Sequence, residues 1–132
     1  MVFVLLFDPA HRVLLSRFSG AFTLDDIAEC DRAVLMALGR EGPIRGLIDL
    51  SDVETVDISS EQILQRARQP AMVAGQTRIF VATKPAALAF ARAYSAAQQE
   101  FNGGGPQVVG SLADAYRLLG LVDPAFEPVE LA

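Results

Sequence analysis

Short apolar runs alternate along this chain with longer segments whose apolar residues recur at helical spacing, and that alternation limits the fold more than any other feature. Val2–Phe7 and Val13–Phe18 flank the turn chemistry of Asp8-Pro9-Ala10-His11, which predicts an antiparallel hairpin. Thr23 then stands three residues before Asp26, a capping-box spacing, and Ile27, Asp31, Val34, Leu35 and Leu38 follow at helical intervals up to Gly39. Strand Ile44–Leu50 precedes a helix from about Ser60 to Gln69, which Pro70 ends or kinks. Thr77–Ala82 is a short strand, and Lys84-Pro85 opens a long helix with proline in the first turn, where its missing N–H costs nothing. After the loop Asn102–Pro106, a minimal strand Gln107–Val109 leads to a last helix capped by Ser111 and stopped by Gly120.

The order β-β-α-β-α-β-α-β-α calls for right-handed crossovers and so for an α/β fold: one mixed, mostly parallel sheet of four to five strands with flanking helices. At 132 residues the chain reads as one domain over 1–121, followed by a tail over 122–132 that carries two prolines. Hydrophobic residues make up 52% of it, which suits a sheet covered on both faces or a surface given over to a partner, a homodimer included.

A net charge of −5 argues against nucleic acid or an anionic membrane as partner. No apolar run is long enough to span a membrane, and the opening run stops at Asp8-Pro9 with no basic residues before it. With the single cysteine, Cys30, ruling out an internal disulfide, a cytoplasmic location is expected.

Chemistry concentrates after strand Ile44–Leu50, where an open α/β sheet usually gathers its ligands. Asp49, Asp52, Glu54 and Asp57 lie within a few residues, and one or two such carboxylates plus water suit a hard cation such as Mg²⁺. Asp49, Asp52 and Asp57 are thus the metal candidates, although acids in a loop are ordinarily just solvated. Ser59 and Ser60 begin a helix, where N–H groups and the macrodipole favour added phosphate. The spacing from Ser59 to Gln62 is equally that of a capping box, which explains the serines without modification. Asp57, Ser59, Ser60 and Glu61 are therefore the candidates for a partner-contact or phosphoacceptor surface.

Asp49-Leu50-Ser51-Asp52-Val53 followed by Asp57-Ile58-Ser59-Ser60 resembles the signature loop of the STAS domains, the sulphate-transporter and anti-sigma-factor-antagonist family. Ile58 stands where that family carries its regulatory phosphoserine, so the resemblance implies Ser59 as the nearest hydroxyl, one place late. Phe18-Ser19-Gly20-Ala21-Phe22-Thr23-Leu24-Asp25-Asp26-Ile27, Ala89–Tyr94 and Ala115–Leu119 are similar to a bacterial SpoIIAA-like branch of the same fold. The likeness runs over about residues 1 to 120 and implies a regulatory or protein-binding module. It brings no catalytic residues and no cofactor. For some relatives it also implies binding of lipid or another small apolar ligand.

On the long helix, Phe90, Tyr94, Ala97 and Phe101 fall in one stripe, which core packing alone explains, although Phe90, Tyr94 and Phe101 could also line a pocket between helix and sheet for a small apolar ligand. Nucleophilic catalysis finds little support: the only histidine, His11, falls in a turn, and no serine or cysteine sits in a nucleophile-elbow pattern. A non-enzymatic regulatory or protein-binding module is the function these residues favour. An apolar-ligand carrier using Phe90, Tyr94 and Phe101 is the first alternative, and an enzyme handling metal or phosphate at Asp49–Asp57 the second.

Overall fold

Among the described residues, six strands and four helices follow one another: β1 Phe3–Asp8, β2 Val13–Thr23, α1 Leu24–Glu41, β3 Arg45–Asp57, α2 Ser60–Ala67, β4 Arg78–Val81, α3 Pro85–Asn102, β5 Gln107–Val109, α4 Leu112–Leu119 and β6 Glu127–Pro128. The coordinates are a computed structural model, which describes residues 3–70 and 75–129. Val2 of the expected first strand and residues 130–132 of the expected tail lie outside the described residues.

The strands form one sheet in the order β5-β4-β3-β2-β1-β6. The pairs from β2 to β5 are parallel, while β1 pairs antiparallel with both β2 and β6. The sheet is therefore mixed and mostly parallel, with six strands where four to five were expected. The extra strand comes from the C-terminal segment, which pairs Leu6 with Pro128 and Phe7 with Glu127.

Thr23, Ser59 and Ser111 cap α1, α2 and α4 by accepting from the backbone N–H three residues on, and at Thr23 and Ser59 the reciprocal capping-box bond also forms. Helix α1 runs past Gly39 to Glu41 and ends at Gly42, whose φ of 76° reverses the chain.

The largest correction concerns β3. The strand does not break at Leu50 but continues to Asp57, so most of the expected acidic loop is β-structure. Its partner is equally long: β2 stays paired with β3 from Val13↔Arg45 to Thr23↔Asp57. Two register shifts, between Arg17 and Ser19 and between Gly20 and Ala21, interrupt the ladder, and Gly20 adopts φ +72° there. These shifts break the simple alternation by which such a strand is recognised.

Two cores lie on the two faces. Helices α1, α2 and α3 cover one, burying Phe3, Leu14, Phe18, Phe22, Leu50, Phe80, Phe90 and Tyr94. On the other, the short α4 packs Ala115 and Leu119 against Val13, Leu15, Leu47, Ile79 and Val81. Of the expected α1 stripe, Ile27 is buried and Val34 and Leu38 are half-buried, whereas Leu35 is 60% exposed and Cys30, Ala33 and Ala37 take the inner positions. Among the described residues, no helix is long and apolar enough to cross a membrane.

Candidate functional site

Right-handed crossovers make each covering helix run back antiparallel to the strand before it. Residues early in α1 and α3 therefore meet the ends of the parallel strands, and residues late in these helices meet the strand beginnings. Side chains alternate along the strands, so Leu14, Ser16 and Phe18 of β2, Gly46 and Ile48 of β3, and Arg78 and Phe80 of β4 all face the three helices. Between this floor and α1, α2 and α3 lies a pocket of about 320 Å³.

The two ends of the pocket differ chemically. At the strand ends, Phe18, Phe22, Ile27 and Phe90 close it with apolar surface. Phe22 packs edge-on against both Phe18 and Phe90, at 4.8 and 5.1 Å between ring centres, and Phe90 stacks on Tyr94 and Phe80. At the strand beginnings the lining turns polar, with Asp31, Arg66, Gln69 and Arg78. Among the described residues the Gln69 and Pro70 flank is exposed, and we take this end as the mouth.

Arg66 of α2 reaches across to α1 and clasps Asp31 through both terminal nitrogens, at 2.6 and 2.9 Å. Burial acts against the Arg66 charge, but the Asp31 carboxylate outweighs it and holds the guanidinium pKa above its ordinary value. Arg78 of β4 has a neutral partner instead, donating from Nη1 to Oε1 of Gln98 at 2.8 Å. Gln98 itself is fully buried and donates to the carbonyls of Ala67 and Gln69, at 2.8 and 3.2 Å. One amide thus joins β4, α3 and the end of α2 at the pocket mouth. Asn102 reinforces it with a second bond to the Ala67 carbonyl.

Cys30 also lines the pocket, its Sγ 3.6 Å from Ser16 Oγ. Burial pushes its pKa up to about 11, opposed by the Ser16 hydrogen bond and assisted by the Asp31 charge, so the thiol stays protonated and unreactive near neutral pH.

The residues singled out from the sequence separate into three places. Phe90 and Tyr94 line the pocket as the carrier alternative requires. Phe101 does not: it lies in the last turn of α3, is 42% exposed, and receives the Arg68 guanidinium over its ring. Asp57, Ser59, Ser60 and Glu61 are all exposed around the start of α2. The Ser59 side chain is engaged in the cap, accepting from Gln62 N–H at 3.1 Å while Gln62 accepts from Ser59 N–H at 2.9 Å.

Asp49 is buried on the opposite sheet face, accepting from Arg17 Nε and from the N–H and hydroxyl of Ser51. Asp52 and Asp57 are exposed. Among the described residues, no three His, Cys, Asp or Glu side chains converge as a metal site would require.

Ser16, Cys30, Asp31, Arg66, Gln69 and Arg78 carry the polar chemistry of the pocket lining, and neither they nor Gln98, which holds Arg78, were among the sequence candidates. The signal that marks Ser16 and Arg78 is alternation: each is a polar residue on the inward face of a strand whose other inward residues are apolar.

No protein-family model matches the chain, and no curated protein matches it. Among solved structures it is similar to an uncharacterized protein of the DUF3478 family with a SpoIIAA-like fold from Shewanella loihica PV-4. The two share 16% sequence identity at a TM-score of 0.55, over 81% of this chain and 83% of that one. At that identity the likeness speaks for architecture alone. The architecture here is a SpoIIAA-like fold.

Proposed function

We propose that this chain is a binding module that takes a small apolar ligand into the pocket between its sheet and helices α1, α2 and α3. The observation that carries this reading is the pocket itself, about 320 Å³ and walled largely by Leu14, Phe18, Phe22, Ile48, Phe80 and Phe90. Binding sites for small molecules are typically concave, mostly apolar and equipped with a few polar groups, which is the composition found here. At roughly 30 Å³ per water-sized volume, the space suits a ligand of about ten to fifteen non-hydrogen atoms.

Titration calorimetry with 1-decanol tests the reading: saturable one-to-one binding is expected, and it should vanish in Val34→Phe, which fills the pocket from α1. Failure of decanol, decanoate and decylamine alike to bind a folded protein saturably would remove the reading.

The exposed start of α2 supports a second role, as a surface for a protein partner. Asp57, Ser59, Ser60 and Glu61 are all open to solvent there, and Leu64 adds a 42% exposed apolar side chain on the same helix. Because α2 also supplies Arg66 to the pocket, a regulatory module whose partner senses ligand is the form this role would take. Substituting Asp57, Ser59 and Glu61 together should abolish capture of such a partner. Unchanged capture would discard the surface.

A further inference from the structure

We infer that the pocket selects an anionic amphiphile: a compact apolar body ending in a carboxylate or a similarly small anionic head, with Arg78 as the residue that recognises the head. The inference rests on the pocket reading above and specifies the ligand class for that same site.

The argument begins with charge. Among the described residues, the acidic and basic side chains lining the pocket are two guanidinium groups, Arg66 and Arg78, and one carboxyl, Asp31. Cys30, the other titratable group on the α1 wall, is held neutral by burial, with a pKa near 11. Asp31 is spent on Arg66 through a two-pronged contact, which leaves one positive charge at the mouth with no counter-charge among the described residues. That charge belongs to Arg78, which forms no ion pair among the described residues. A positive excess at this one place runs against the chain as a whole, whose net charge is −5.

Donor capacity points the same way. A guanidinium carries five N–H groups, and the side-chain bond from Arg78 to Gln98 uses one. Gln98 is neutral, so it orients Arg78 without cancelling its charge. It is itself fixed by the Ala67 and Gln69 carbonyls, so its Oε1 is a rigid post for Nη1. A carboxylate fits the remaining planar donors of such an anchored arginine.

Position completes the case. Arg78 pairs with Gly46, which contributes no side chain beside it, and Gly46 pairs with Leu14 on the other side. From that row to Phe18 the floor runs four residues along β2, about 13 Å at strand rise. A chain-like ligand thus enters with its apolar end among Phe18, Phe22 and Phe90 and its head beside Arg78.

The test compares 1-decanol, decanoate and decylamine at neutral pH by titration calorimetry, in the wild type and in Arg78→Met and Arg78→Lys. Decanoate should bind about tenfold more tightly than decanol, as one charge-assisted contact implies, with decylamine the weakest. Arg78→Met should erase the difference between decanoate and decanol by weakening decanoate about tenfold more than decanol, and Arg78→Lys should recover part of that difference. Equal affinities of decanol and decanoate for the wild type would overturn the anion preference and leave the pocket reading standing. So would an equal loss for all three ligands in Arg78→Met, which would make Arg78 a structural residue. Binding of none of the three would overturn both.

Discussion

Asp8 should be the polar side chain whose loss costs this fold most, because its carboxylate is buried and serves three donors. It accepts from the His11 backbone N–H at 3.0 Å, from His11 Nδ1 at 2.9 Å and from the Ala125 N–H at 3.0 Å. Its own side chain is 1% exposed and that of His11 25% exposed. The two backbone donors therefore have no ready substitute partner, whereas the imidazole can turn to water. Hydrogen bonds to a charged group are worth about 1.5–3 kcal/mol each, so Asp8→Ala should cost about 3–5 kcal/mol. For a chain of this size that is a fall in Tm of about 12–20 °C.

Asp8→Asn separates the hydrogen bonds from the volume. Asparagine is nearly isosteric, yet it offers one acceptor and turns an NH₂ towards the other donors, so about half of the Asp8→Ala cost should persist. Urea denaturation measures both variants. Hydrogen exchange should place the weakening at Ala125 and at Val129, whose N–H donates to the Leu5 carbonyl beside β6. An Asp8→Asn variant within about 0.5 kcal/mol of the wild type would refute the reasoning, since the backbone donors would then have found other partners.

The pH dependence has a definite sign. Burial tends to raise the Asp8 pKa, but the bonds from His11 and Ala125 prevail and hold it below its ordinary value of 3.8. The folded state thus binds the proton less readily than the unfolded chain. The Asp8 contribution should be fully present above about pH 4 and be lost as pH falls through the lowered value. Acid unfolding curves of wild type and Asp8→Asn should accordingly converge.

Three shorter expectations follow from the pocket and the caps. Alkylation of Cys30 by iodoacetamide at pH 8 should be at least about a hundredfold slower than in the denatured chain, because a pKa near 11 leaves few thiolates and the sulfur is buried; comparable rates would show the α1 wall to be open. Phe90→Ala should cost about 3 kcal/mol, the low end for such a truncation since the ring already borders empty space, and should admit ligands larger than decanol in calorimetry. Ser59→Ala should cost about 1 kcal/mol in urea denaturation and Ser59→Gly only a few tenths, with Ser60→Ala nearly silent; equal costs at Ser59 and Ser60 would contradict the cap.

What could be read from the sequence was local chemistry. Thr23, Ser59 and Ser111 act on backbone groups three residues away, so the helix starts were legible before any tertiary contact was known. β3 beyond Leu50 was not, because Val53 and Val56 take their places from a partner strand that carries two register shifts. β6 was not either: two residues cannot signal a strand by pattern, and their pairing accompanies a bond between Asp8 and Ala125 that spans almost the whole chain. Phe101 fits its stripe as well as Phe90 does, yet in the last turn of α3 it is 42% exposed, with the Arg68 guanidinium over its ring.

The pocket mouth was the least legible part, since Asp31, Arg66, Arg78 and Gln98 come from four separate elements. Taken one at a time, each is an ordinary polar residue, and only the fold reveals that a fully buried Gln98 and the half-buried Asp31, Arg66 and Arg78 gather at one end of an apolar pocket. Such local inconsistencies cost stability and tend to persist at functional sites. Here they differ in how completely the fold answers them. Gln98 has every hydrogen-bonding group engaged by its neighbours, and Asp31 with Arg66 closes on itself, so these three are accounted for as structure. Arg78 is held in place without being neutralised. Its bond to Gln98 fixes where the guanidinium sits, and among the described residues no carboxylate meets it, so a ligand that brings a negative charge would complete the set.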